Sequence, residues 1–222
     1  MQSMGHLTSG FTYYPRDPVN RADIGFQVYT ALAYGMKSIS YYTYWEHHTQ
    51  NNSEIYTSAM VLYPDDPEAA DAEGVETDVY RAVAAVNNEI NQFDHVFMEY
   101  DWRGTMALKG SNKDKMYDDL NSYSSDRIVS ANATNDALIG CMYDAEQGYD
   151  GFWLVNGTAP NNAGDAAITV KFAGDVKKLM VYDPTDAGFN GRAKIVPYDA
   201  VNGYKVTLKC GEGQYVIPLL IS

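Results

Sequence analysis

Long apolar runs are missing from this chain of 222 residues. None approaches the ~20 residues a helix needs to cross a bilayer, and no basic segment leads into an apolar one at the N-terminus. Neither a helical membrane span nor an export signal is expected, and the reading is a soluble protein, cytoplasmic or secreted. Positive charge is also scarce: 16 Lys and Arg stand against 29 Asp and Glu, a net charge of −13. Nucleic acids and anionic membrane surfaces are held through clustered cations, so neither is an expected partner. Cysteine is rarest, with Cys141 and Cys210 far apart and without a CxxC or His-rich context, which argues against a zinc site. Two buried free thiols are the simpler reading and one disulfide is the other. No internal repeat or low-complexity tract is present, and no cofactor is expected.

What is present is most concentrated between Asn20 and Trp45. Asn20 is a helix cap and Asp23 stands at the third helical position, a capping box with Asn and Asp in place of the commoner Ser/Thr and Glu/Gln. Ile24, Val28, Ala31 and Leu32 follow at helical spacing, and Gly35 supplies the left-handed residue at which helices stop. From Ser38 to Trp45 the sequence turns β-branched and aromatic, which predicts a strand. A second helix is predicted from a Thr77 cap through Val79, Val83, Val86, Ile90 and Phe93. The loop between them is acidic, with seven carboxylates and no Lys or Arg from Asp65 to Asp78. It reads as a solvated loop, since a calcium site would need an ordered ligand spacing that it lacks.

After Phe93 the texture changes. Short runs at Met106–Leu108, Ala137–Tyr143, Gly151–Val155, Ala167–Phe172, Lys178–Tyr182, Lys194–Pro197, Tyr204–Lys209 and Gln214–Leu220 alternate with turn signals such as Asn190-Gly191, Asn202-Gly203 and Gly211-Glu212-Gly213. That punctuation predicts an antiparallel β-sandwich. Two domains are expected, residues 1–98 and 99–222. The first holds the end of one strand, a helix, a full strand and another helix, too little to close a barrel of about 250 residues. The expectation is therefore the tail of a longer protein, because Met1-Gln2-Ser3 begins without lead-in and the predicted strand lacks parallel neighbours; an unusual α+β fold is the alternative.

In order, these segments resemble the last part of the catalytic barrel of clan A glycoside hydrolases, especially the family 42 β-galactosidases. The end of the seventh strand is similar to Gln2-Ser3-Met4-Gly5-His6, and the loop after it to Arg16-Asp17-Pro18. The seventh helix is similar to Gln27–Gly35, the eighth strand to Ile39–Trp45, and the eighth helix to Thr77–Tyr80 through Val86–Ile90. Tyr149–Asn156 and Gly211–Val216 resemble strands of the sandwich that commonly follows such barrels. The implied fold class is α/β plus all-β: strand 7 end, helix 7, strand 8 and helix 8 of a (β/α)8 barrel, then an antiparallel sandwich.

The implied activity is hydrolysis of O-glycosidic bonds, which needs two carboxyl groups across the scissile bond. The resemblance implies an acid/base Glu ending the fourth strand and a nucleophile Glu ending the seventh. The fourth strand has no counterpart here, and Gln2–His6 contains no carboxylate, so catalysis by this chain alone is not expected. Glu46 is the one candidate catalytic carboxylate, with a sugar contact or a solvated loop as its other readings. Trp45 is the main substrate-binding candidate, because a flat indole stacks on the apolar face of a pyranose; Tyr44 and Tyr42 add hydroxyls and His6 is a further pocket candidate. Trp45 could instead pack between domains. His47 and His48 read as solvent-facing, and no metal is expected. Tyr149, Phe152 and Trp153 read as packing residues. The expected partner is an oligosaccharide or glycoside, with association through the exposed strand and helices, to another copy or to further barrel units, left open. A carbohydrate-binding module and a purely structural or interaction domain are the competing readings.

Overall fold

A computed structural model describes residues 20–41, 44–45, 60–62, 73–110, 122–160 and 164–220. Its elements in chain order are α1 (Arg21–Ala33), β1 (Val61–Leu62), β2 (Val75–Glu76), α2 (Asp78–Asn91), α3 (Asp94–Phe97), β3 (Asp101–Leu108), β4 (Ile128–Ala133), β5 (Ala137–Asp144), β6 (Tyr149–Asn156), β7 (Ala166–Phe172), β8 (Val176–Tyr182), β9 (Lys194–Pro197), β10 (Tyr204–Leu208) and β11 (Gly213–Leu220). Every strand ladder among the described residues is antiparallel. The protein is therefore mostly β.

This overturns the α/β expectation drawn from the resemblance, the last part of a (β/α)8 barrel. Barrel strands are parallel and joined by crossover helices, whereas Ile39–Tyr41 forms no strand and Trp45 makes one isolated bridge to Val61. Side chains hold the segment instead: the Tyr41 hydroxyl donates to Asn87 Oδ1 at 2.7 Å. A β-branched and aromatic composition reports a preference for half-buried surface, and that preference was met here without a ladder.

The described residues form two compact units. One takes in residues up to Ile24 and from Ser38 to Asn88; the other takes in Gly25–Lys37 and the residues from Glu89 on. In the first, Asn20 Oδ1 accepts from the backbone N–H of Ala22 (2.8 Å) and Asp23 (3.3 Å), while Asp23 Oδ2 accepts from the Asn20 N–H at 3.1 Å. This reciprocal pair starts α1. Thr77 starts α2 by accepting from the Tyr80 N–H at 3.3 Å, and Val79, Val83 and Val86 form its buried stripe. The β1–β2 ribbon pairs Val61 with Glu76.

In the second unit, a six-stranded sheet (β3-β5-β6-β11-β8-β9) faces a three-stranded one (β10-β7-β4). Alternate residues of each strand meet in a shared core, where Ile139, Cys141, Phe152 and Leu154 pack with Ile168, Val170 and Phe172. Strand β4 was not expected; Ile-Val-Ser-Ala-Asn-Ala is a poorly alternating edge sequence whose residues are half-buried or exposed. Both cysteines are free thiols. Burial pushes Cys141 up to about 12, and Cys210 Sγ donates to the Thr158 carbonyl at 3.2 Å.

The outer face of the six-stranded sheet carries α1 from Gly25 on and the Phe93–Tyr100 segment. The backbone of α1 comes down directly on β5 at Gly140, and its Tyr29 ring lies directly on β11 at Gly213, because neither glycine presents a side chain. A Cβ on Gly140 would lie 2.4 Å from the Ala33 carbonyl oxygen, and one on Gly213 would lie 2.5 Å from the Tyr29 ring. Thr105 on β3 completes the seat by donating its hydroxyl to the Ala33 carbonyl at 2.8 Å. Beside the helix, Trp153 stands at the centre of a dry aromatic cluster, 5.9 Å from Tyr29, 5.8 Å from Phe93, 5.2 Å from Phe97 and 5.0 Å from Tyr215.

The two glycine contacts set a stability test. Gly140→Ala and Gly213→Ala each overpack the seat of α1 and should destabilise the fold by about 1–3 kcal/mol, read as a lowered Tm. Gly174→Ala, with nothing within 4 Å of its added methyl, should stay within about 0.5 kcal/mol of the wild type. Equal effects at all three sites would refute the close-approach account.

Candidate functional site

Of the residues singled out for sugar contact, His6, Tyr42 and Glu46 lie outside the described residues, as do His47 and His48. Tyr44 and Trp45 are described. The acidic loop falls outside from 63 to 72, and among the described residues no cluster of His, Cys, Asp or Glu is arranged to hold a metal.

Tyr44 and Trp45 form an exposed aromatic pair. Their ring centroids are 5.7 Å apart with planes at 82°, an edge-to-face arrangement, and the residues are 51% and 45% exposed. The pair is fixed from below rather than left to swing. The Val61 N–H donates to the Tyr44 carbonyl at 2.8 Å, Trp45 bridges Val61, and the indole edge lies over Gly74. A Cβ at Gly74 would fall 2.6 Å from Trp45 Cζ3, so glycine leaves the space that the ring edge occupies. The result is an apolar plate flanked by a phenol, able to stack on a ring and to hydrogen-bond its rim.

The second unit holds a concavity that the sequence did not announce. A cleft of about 280 Å³ opens at the end of the outer sheet face that α1 leaves bare, walled by Glu99 and Tyr100 just after α3, and by Asp144, Tyr149, Tyr182 and Met180 from the sheet. Tyr149, read from sequence as packing, is 38% exposed here, whereas Phe152 and Trp153 are buried. Asp144 is buried at the base of the β5–β6 turn, its Oδ1 accepting from the N–H groups of Glu146 (2.9 Å) and Gln147 (3.0 Å). Burial pushes the Tyr100 phenol well above its ordinary range, and the carboxylates of Asp144 and Asp150 add to the effect. Burial likewise raises Tyr182. Both phenols therefore stay neutral donors at physiological pH. The lining residues come from β5, β6, β8 and the segment after α3, and only the β5–β6 turn is a local signal among them.

Searches against protein-family models, curated proteins and solved structures each returned no match. Function has to be read from the sites.

The raised phenols give a pH test. Burial lifts Tyr41 to about 12 and raises Tyr100, Tyr182, Tyr204 and Tyr215 in the same direction. Their folded values exceed the unfolded value of about 10, so the stability they contribute is complete below pH ~10 and is lost as pH rises through the folded values. Ultraviolet titration should show one tyrosine class ionising near pH 10 and a second ionising only as circular dichroism reports unfolding. A single class near pH 10 with the fold intact would contradict this.

Proposed function

We propose that this chain serves a carbohydrate-active protein of the glycoside hydrolase kind, contacting the saccharide through Tyr44 and Trp45 without itself supplying the hydrolytic carboxyl pair. The observation that carries the reading is the propped, solvent-facing Tyr44–Trp45 plate. An indole held over a glycine costs little to present, because its conformational freedom is already spent before the ligand arrives. A pyranose has one apolar face suited to such a ring, and its equatorial hydroxyls suit a flanking phenol. The resemblance of the sequence to glycoside hydrolases supplies the substrate class. The barrel that the resemblance implied plays no part in the proposal.

A carbohydrate-binding role without any attached hydrolase is the second reading, favoured by the same exposed plate and by the absence of a carboxylate from Gln2–His6. Both readings predict binding, and they separate on whether the complete protein hydrolyses a glycoside.

Calorimetric titration against a panel of pyranosides should find at least one that binds. Trp45→Ala should weaken it about tenfold, ~1.4 kcal/mol, with no change in Tm. The chain alone should release no nitrophenol from nitrophenyl glycosides. Binding to no saccharide in the panel, or affinity indifferent to Trp45→Ala, would end the proposal.

A further inference from the structure

We infer that the cleft at the Tyr149 end of the outer sheet face is a binding site for a small organic ammonium ion with an apolar body. Three aromatic rings from three separate segments wall it: Tyr100 after α3, Tyr149 at the start of β6 and Tyr182 at the end of β8. Ring faces attract cations through their quadrupole, most strongly where water is excluded. Met180, Ile217 and Leu219 provide a surface for alkyl groups. The volume of about 280 Å³ suits a ligand of a few carbon atoms rather than an oligosaccharide.

Charge decides against other ligands. Two carboxylates, Glu99 and Asp144, line the cleft, and among the described residues no Lys or Arg does; His95, at its edge, is exposed and lies 3.9 Å from the Asp94 carboxylate. Nearby Asp150 is paired, accepting from Arg127 Nε at 3.1 Å, although Arg127 is shared with Asp175. Asp144 has no such cation among the described residues. Its Oδ1 accepts from two turn N–H groups, and the residue is only 4% exposed. An anion would meet uncompensated negative charge here, and a neutral ligand would leave Asp144 without a counterion.

The wall behind the cleft is also polar and unsatisfied. Tyr215 is fully buried and its hydroxyl has no hydrogen-bond partner among the described residues. Its ring is flanked by Tyr100 at 5.6 Å and Tyr182 at 6.5 Å, so two cleft walls lean on it. Gly151 makes the room: a Cβ there would lie 2.0 Å from the Tyr215 hydroxyl and 2.9 Å from Tyr100 Cδ1.

The test compares choline with its neutral isostere 3,3-dimethyl-1-butanol by calorimetry and by NMR of the tyrosine rings, on the full chain. Choline should bind at least about tenfold more tightly than the alcohol, and the preference should shrink with added salt. Tyr149→Ala removes an exposed ring and should weaken choline about tenfold with the fold intact, and Glu99→Gln should weaken it in the same direction. Asp144→Asn should abolish the preference for the cation; if that variant fails to fold, Tyr149→Ala and Glu99→Gln still decide. Trp45→Ala should leave choline binding unchanged, which separates this site from the saccharide plate. Equal affinity for choline and the alcohol, no binding of choline, or indifference to Tyr149→Ala would each overturn the inference.

Discussion

The second unit depends on how closely a helix backbone can approach a sheet. Helices and sheets ordinarily keep a layer of side chains from both between them, but Gly140 lets the α1 backbone touch β5, Gly213 leaves only the Tyr29 ring between α1 and β11, and Thr105 adds a hydrogen bond to the Ala33 carbonyl. The low seat brings Tyr29 level with Trp153, and the Tyr29 hydroxyl then reaches Glu89 Oε2 at 2.8 Å. Everything beside the helix takes its height from that contact. Phe93 stacks on Tyr182 at 5.3 Å, Phe97 reaches Tyr215, and the sheet beyond them is left uncovered, which is where the cleft opens.

The sequence was legible where the physics is local. Asn20 and Asp23 make a capping box within four residues, and Gly35 stops the helix at φ 76°. Asn-Gly pairs mark turns for the same reason, with Gly191 and Gly203 at φ 78° and 75°. Legibility failed where the outcome depends on partners distant in sequence. Ile39–Trp45 has the composition of a strand, but a ladder needs a neighbour, and the hydrogen bond from Tyr41 to Asn87 took its place. Resemblance compounded the error by supplying the missing neighbours from another architecture.

The sites divide in the same way. Tyr44 and Trp45 were picked out as the aromatic end of an expected strand, and their exposure here comes from a loop edge instead. Asp144, Tyr149 and Tyr182 could not be joined without knowing that β6, β11 and β8 lie side by side. Aromatic content alone misleads here, since Trp153 and Tyr149 are four residues apart on one face of one strand, yet the first is dry and the second borders solvent. What separates them is how far α1 and the Phe93–Tyr100 segment extend along the sheet.

Cys141 faces the opposite way from all of this, into the closed space between the two sheets. Its thiol is nearly inaccessible and its thiolate is disfavoured by burial, so oxidants and electrophiles have almost nothing to react with while the sheets are together. Chemical injury at that position and separation of the sheets thus become a single event. Cys141 is insulated from redox fluctuation in the native protein, and any copy carrying a modified Cys141 has already been open.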